Sequence, residues 1–260
     1  MRPIRYFQVD AFTSELFRGN PAGVCLLENE RLPDELMQRI AFENNLSETA
    51  FIFQRGNDWA LRWFTPTIEV DLCGHATLAA AFIIFTQLAW AHEMIRFNSK
   101  SGALNVVRAG ARYVLDFPAR PGAALEAPHE LVEALGAQPR EVYKARDWMC
   151  VFDSEADVRA IKPRFDLLTR VPGFVIVTAP GSDVDFVSRF FAPAAGINED
   201  PVTGSAHCTL IPFWAERLKK RNLRARQISQ RTGEIFCDHR GERVGIGGHA
   251  ILYSSGQLHI

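Results

Sequence analysis

Three short blocks occur twice in this chain, in the same order and at nearly one spacing. Arg62-Trp63-Phe64-Thr65-Pro66 is matched by Arg189-Phe190-Phe191-Ala192-Pro193, and Gly74-His75-Ala76 by Gly204-Ser205-Ala206. Ser99-Lys100-Ser101-Gly102 is matched by Ser229-Gln230-Arg231-Thr232-Gly233. The copies stand 127 residues apart for the first pair and 130 for the other two, close to half of the 260-residue chain. Ordered matches at one offset argue for a duplicated architecture, so whatever the first half folds into, the second should repeat. The expected halves are residues 1–117 and 118–249, with a C-terminal strand at 250–260 able to return to the first. Ala119–Pro128 is the expected crossover.

The hydrophobic pattern fills in each half. Arg5–Phe12, Gly23–Leu27, Ala50–Gln54, Trp59–Phe64, Ile95–Asn98, Ala103–Arg108 and Arg112–Phe117 read as strands. Pro33–Asn44 carries Leu36, Ile40 and Ala41 at helical spacing, with Pro33 near the first turn. Ala76–Leu88 is apolar on every face, the pattern of a helix buried on all sides. The second half repeats the theme: a short helical piece at Val158–Ile161, strands at Gly173–Thr178, Asp185–Phe191, Ile235–Asp238, Arg243–Ile246 and Ala250–Ser254, and a helix at His207–Lys219 in which Pro212 should introduce a kink. Strands and helices do not alternate, which excludes a doubly wound sheet. The fold class is α+β: two pseudo-symmetric halves, each a curved, mainly antiparallel sheet or barrel around a buried central helix, with the active site expected between them.

Composition narrows the function classes. The net charge is −1 and the sequence pI about 6.7, so no nucleic acid and no anionic membrane is expected as an electrostatic partner. The N-terminal MRPIRYFQVDAFT lacks the apolar core of a signal peptide, and the most apolar run, Ala79–Trp90, is too short for a bilayer. A soluble, cytoplasmic protein is the expectation. The five cysteines, Cys25, Cys73, Cys150, Cys208 and Cys237, form no CxxC pair, so neither a zinc knuckle nor a disulfide framework is indicated. His239, His249 and His259 show no ligand-like spacing, and no metal is expected. Gly245-Ile246-Gly247-Gly248 is glycine-rich, but no helix follows it, so a dinucleotide site fails its context.

Chemistry is expected where the repeat places glycine at a helix start. Helix N-termini present unpaired N–H groups and partial positive charge, and Gly74 and Gly204 would let a carboxylate approach the backbone. Acid–base candidates surround these turns: Glu48 in Asn45-Leu46-Ser47-Glu48-Thr49, His75 in the first turn of one central helix, Asp200 in Glu199-Asp200-Pro201-Val202-Thr203, and Ser205 at the place matching His75. A carboxylate in a semi-closed apolar cleft can shuttle a proton near neutrality. From the residues alone, a lone Glu or Asp on a loop is far more often a solvated surface charge or a helix cap.

The blocks Asp10-Ala11-Phe12-Thr13, Gly19-Asn20-Pro21-Ala22, Ser47-Glu48-Thr49-Ala50-Phe51, Asp71-Leu72-Cys73-Gly74-His75-Ala76-Thr77 and Glu199-Asp200-Pro201-Val202-Thr203-Gly204-Ser205 are similar to the signature blocks of the PhzF-type phenazine-biosynthesis isomerase family. The resemblance implies a diaminopimelate-epimerase-like fold, no cofactor, and a homodimer. It implies Glu48, His75, Asp200 and Ser205 as the catalytic set, and Asn20, Cys73, Gly74, Thr203 and Gly204 as substrate-binding residues around a small carboxylated substrate. Glu48 would move a proton between two carbons of a carboxylated ring or conjugated acid.

Two alternatives stand beside that reading. An amino-acid or hydroxy-acid epimerase of the wider superfamily would use a thiol on each face of a carbon acid; Cys73 precedes Gly74, but Thr203 stands at the equivalent place before Gly204. A non-catalytic small-molecule binding protein could keep the same cleft.

Overall fold

The computed structural model describes residues 3–28 and 32–260. They form two compact units, Met1–Asp116 with Gly247–Ile260, and Phe117–Ile246.

The first unit runs β1 (Ile4–Ala11), β2 (Asn20–Leu26), α1 (Asp34–Asn44), β3 (Glu48–Arg55), β4 (Asp58–Phe64), β5 (Glu69–Val70), α2 (Gly74–Gln87), β6 (Met94–Ser99), β7 (Gly102–Ala109) and β8 (Arg112–Pro118). The second runs β9 (Ala123–Leu125), α3 (His129–Leu135), β10 (Glu141–Lys144), β11 (Trp148–Val151), α4 (Glu155–Ala160), α5 (Phe165–Leu168), β12 (Val175–Pro180), β13 (Phe186–Ala192), β14 (Ile197–Asp200), α6 (Gly204–Leu218), β15 (Asn222–Gln227), β16 (Gly233–His239) and β17 (Arg243–Gly248). The last strand, β18 (Ala250–Leu258), pairs antiparallel with β1.

Strand senses repeat from one unit to the other. Along β1–β2–β3–β4–β6–β7 the pairings are antiparallel, parallel, antiparallel, parallel, antiparallel. Along β10–β11–β12–β13–β15–β16 they follow the same series. The short strands β5 and β14 flank β4 and β13, both antiparallel. The duplication visible in the sequence blocks is thus a duplication of topology. The sheet is mixed and not closed, so an open sheet and not a barrel is the form found.

The repeated arginine shows what one block does. Arg62 of β4 grips Glu69 of β5 with two bonds, Nε to Oε1 at 2.7 Å and Nη2 to Oε2 at 2.9 Å. Arg189 of β13 grips Glu199 of β14 the same way, at 2.8 and 2.9 Å. Planar guanidinium and carboxylate match edge to edge, which fixes orientation as well as distance. Each clamp ties down the short strand that leads into the central helix of its unit.

Those helices are core elements. In α2, every residue from Gly74 to Ala81 and from Ile83 to Phe85 is buried, with the Ala79-Ala80-Ala81 run supplying high helix propensity. Helix α6 runs on across Pro212, as the expected helix over that residue does. Proline has no N–H for the carbonyl four residues back. That carbonyl, on Cys208, instead accepts the backbone N–H of Arg120 at 2.8 Å, so the lost helical bond is replaced from the segment before β9.

Several elements escape the hydrophobic pattern. Ala119–Pro128, expected as a plain crossover, contains β9, which pairs with β10. Strand β15 buries Leu223, Ala225 and Gln227 but turns Asn222 and Arg224 outward, and its weak apolar face hides the alternation. Helix α3 is bounded by Pro128 and by Gly136 at φ 65°, the ordinary stop signal, on a segment too short for a periodic signal. Among the described residues no helix is long and apolar enough to cross a membrane.

Candidate active site

In the first unit the structure gathers Asn20, Glu48, Cys73 and His75. Glu48 opens β3 and is paired in register with Ala22 of β2; Asn20 opens β2; His75 is the second residue of α2. His75 Nε2 lies 3.2 Å from Glu48 Oε2, and Asn20 Nδ2 lies 3.1 Å from His75 Nδ1. Cys73 Sγ is 3.5 Å from the same Nδ1. Burial lowers the His75 pKa to about 3, so the ring is neutral at physiological pH and its approach to Glu48 is not an ion pair; the two atoms lie close without hydrogen-bond geometry. With the Asn20 amide N–H facing Nδ1, that nitrogen is the acceptor and Nε2 carries the hydrogen.

The flanking blocks hold this cluster. Asp10, 2% exposed, accepts the Phe17 backbone N–H at 3.0 Å and so anchors the loop that delivers Asn20. Asn44 at the end of α1 donates to Thr49 Oγ1 at 3.2 Å, fixing the turn that delivers Glu48.

In the second unit the turn Asp200–Gly204 is bound from several sides. Thr203 donates its hydroxyl to Asp200 Oδ2. Gln227, fully buried at the end of β15, accepts the Thr203 N–H at 2.9 Å and donates to the Asp200 carbonyl at 2.7 Å and to Thr203 Oγ1 at 3.2 Å. His207, also fully buried, bonds the Thr203 carbonyl through Nδ1 at 2.8 Å, and burial lowers its pKa to about 4. Ser205, the second residue of α6, accepts a hydrogen bond from Arg146 Nη2 at 3.0 Å. Arg146 is itself braced on the buried carboxylate of Asp147, at 2.5–3.1 Å. In each unit, then, a residue in or just after the connection between the first two equivalent strands reaches the second residue of the central helix: Asn20 to His75, Arg146 to Ser205.

Both central helices begin without a side-chain cap, on Cys73 and on Thr203. Threonine is a good capping residue, but here its hydroxyl is turned to Asp200. Gly74 and Gly204 are not among the residues with left-handed backbone, so conformation alone does not demand glycine at either place.

The sequence blocks point to Glu48, His75, Asp200, Ser205 and their neighbours, but not to Arg146, Asp147, Gln227 or His207 as parts of these clusters. Gln227 leaves one trace: it aligns by the 130-residue offset with Phe97, a fully buried aromatic, so a polar side chain replaces a core one. Donor atoms of Glu48, Cys73 and His75 lie within 4.8 Å of one another. Glu48 and Cys73 approach opposite nitrogens of the His75 ring, so one ion could not take both of those contacts.

The family model of phenazine biosynthesis-like proteins (PhzC-PhzF) matches residues 9–256. The chain belongs to the PhzF family of phenazine biosynthesis-like isomerases. An uncharacterized isomerase of Pseudomonas aeruginosa is 53% identical over 259 residues, covering 99% of each chain. A PhzF-family crystal structure from Enterococcus faecalis superposes with a TM-score of 0.97 at 47% identity, covering all of both chains. A probable proline racemase from Agrobacterium radiobacter, at 10% identity and a TM-score of 0.67 over 99% of this chain and 93% of its own, shares the fold. The blocks that carry Glu48 and Asp200 supply residues to the two clusters described above.

Proposed function

We propose that this PhzF-family isomerase transfers a proton between carbons of a small carboxylated ring or conjugated acid by acid–base catalysis without a cofactor, with Glu48 as the residue that moves the proton. The observation that carries this reading is the Glu48–His75 pair: a part-buried carboxylate with one oxygen 3.2 Å from Nε2 of a buried, neutral imidazole. Glu48 removes the proton from a C–H bond, the electron pair shifts through the conjugated system, and the same carboxyl group returns the proton at another carbon. His75 stays neutral throughout, with its Nε2 beside Glu48. In the second unit, Asp200 is proposed to hold the substrate's amine, and Ser205 with Gly204 its carboxylate, supported by the uncapped start of α6.

The test is incubation of the protein in D2O with a panel of cyclic dienoic acids, enoic acids and amino acids, followed by 1H NMR for loss of one C–H signal. One or more acids should exchange and isomerise, and Glu48→Gln should lower the rate by about 100-fold or more while keeping the fold. Undiminished exchange by Glu48→Gln refutes the assignment. Loss of activity in Asp200→Asn on the same acid supports a shared substrate.

The epimerase reading has one observation in its favour, the Cys73 thiol 3.5 Å from His75 Nδ1. Thr203 in the equivalent position supplies no second thiol. An unchanged rate in Cys73→Ser excludes thiol chemistry. Thermal stabilisation by an acid that never exchanges would favour a binding protein. All five cysteines are free and buried, which suits the proposed cytoplasmic location; a homodimer is proposed from family likeness.

A further inference from the structure

Each unit places a fully buried side-chain amide one group away from its acidic residue. In the first, Asn20 reaches His75 Nδ1, and the other nitrogen of that ring reaches Glu48. In the second, Gln227 reaches Thr203 Oγ1, and that hydroxyl reaches Asp200. The Gln227 amide has only one workable orientation. Its oxygen faces the Thr203 N–H, and its nitrogen faces the Asp200 carbonyl, so turning it over would set two donors and two acceptors against each other. Its remaining N–H therefore occupies a lone pair of Thr203 Oγ1, and the hydroxyl hydrogen is left to point at Asp200. The Asn20 amide does the equivalent for a ring: an N–H donated to Nδ1 keeps that nitrogen bare and places the hydrogen on Nε2.

We propose that Asn20 and Gln227 are positioning residues, each deciding where its neighbour carries a hydrogen: Asn20 leaves the His75 hydrogen on Nε2, the nitrogen nearest Glu48, and Gln227 aims the Thr203 O–H at Asp200. For Gln227 this is a role outside the set of substrate-contacting residues. For Asn20 it is a role beneath the substrate, not against it. A buried donor that can only point one way costs no reorganisation when charge changes on the carboxylate, which is what a group that gains and loses a proton each turnover needs. The catalytic consequence rests on the reading of Glu48 as the proton carrier; the placement of the hydrogens does not.

The placement is measurable on the free protein. Long-range 1H–15N spectra report the tautomer of each histidine. His75 should be the Nε2–H form, and His207, whose Nδ1 faces the Thr203 carbonyl, the Nδ1–H form, an internal control of opposite sign. Asn20→Asp replaces the donor with an acceptor and should bring a hydrogen onto His75 Nδ1; Asn20→Leu should reduce the share of the Nε2–H form. For the second arm, the Thr203 hydroxyl proton should be a slowly exchanging resonance. In Gln227→Met that resonance should be lost and the Thr203 amide should exchange about tenfold faster or more. Thr203→Ser should keep a protected hydroxyl, and Thr203→Val should lack one. An Nδ1–H tautomer of His75 in the unsubstituted protein overturns the Asn20 arm without any variant. Unchanged protection in Gln227→Met overturns the other. Full exchange activity in Glu48→Gln would leave all these resonances in place, so failure of the proposed reaction and failure of this inference give different results.

Discussion

The His75 imidazole lies 3.2 Å from the Glu48 carboxylate and yet is held neutral, its pKa lowered to about 3 by burial. The neighbouring acid does not rescue the charge, because the ring sits in the first turn of a helix whose start is wholly buried. A neutral ring between an amide and a carboxylate can donate in one direction only.

The two buried histidines make stability depend on pH in a defined window. His75 and His207 have folded pKa values of about 3 and about 4, below the ordinary 6.5. Below pH 6.5 the unfolded chain takes up protons that the folded chain refuses, so stability is full above that value and falls as pH drops toward 4. The slope is on the order of 1.4 kcal/mol per pH unit for each histidine well inside the window. Urea unfolding at a series of pH values from 7 to 5 should show this loss, and His207→Phe should lower the slope. A slope that His207→Phe leaves unchanged would remove the histidine from this role.

Gly19 should be irreplaceable for a reason of backbone geometry. Its φ is +66°, and a Cβ there would stand 2.1 Å from the Ala11 carbonyl oxygen and 2.7 Å from Thr13 Cγ2. Neither the carbonyl nor the strand that bears it can move away cheaply. Gly19→Ala is expected to destabilise the protein by about 2 kcal/mol or more, through left-handed strain and collision together. Because Asn20 follows directly, the variant should also disturb the His75 ring resonances. Chemical denaturation and the same 15N spectra check both halves of the expectation.

The parts of the site that repeat, or that belong to a signature block, are legible in the chain itself. Gly74 and Gly204 mark the helix starts, and Glu48 and Asp200 lie in blocks of unusual composition. Their supports are not. Arg146 and Asp147 form a pair inside a tight connection between two four-residue strands, where charged residues are ordinary. Gln227 ends a strand whose outward arginine masks its buried face, and only its twin Phe97 shows that the position is interior. A helix across Pro212 is legible, but the donor that replaces the missing proline bond is not, since it is Arg120, 92 positions before Pro212 in the chain. Pattern reveals elements and duplicated turns; long-range hydrogen bonding between single residues leaves almost no pattern.

Pro212 gives the sharpest test of that replacement. In an ordinary helix interior, changing proline to alanine restores a bond and relieves a clash, a gain of about 3 kcal/mol. Here the Cys208 carbonyl already accepts the Arg120 N–H at 2.8 Å. A new N–H at position 212 would compete for an occupied acceptor, and the unfolded chain would gain freedom. Pro212→Ala should therefore fail to stabilise and should lose about 0.5–1 kcal/mol. A clear rise in the thermal midpoint would show that the helix had been strained at Pro212 after all.

Arg146 should govern affinity more than rate. Its guanidinium is braced by the 4%-exposed Asp147 and donates to Ser205 Oγ at 3.0 Å, next to the uncapped start of α6. A fixed planar cation there stabilises a carboxylate equally in ground and transition states, so its removal acts on binding. On whichever acid exchanges in D2O, Arg146→Ala should raise KM about tenfold or more with kcat within a fewfold of the parent, whereas Glu48→Gln should act on kcat. Arg146→Lys should recover little, because a point charge cannot brace on Asp147 through two nitrogens and reach Ser205 as well. A loss confined to kcat in Arg146→Ala would place the guanidinium in the chemical step instead and would require Ser205 to be reassigned with it.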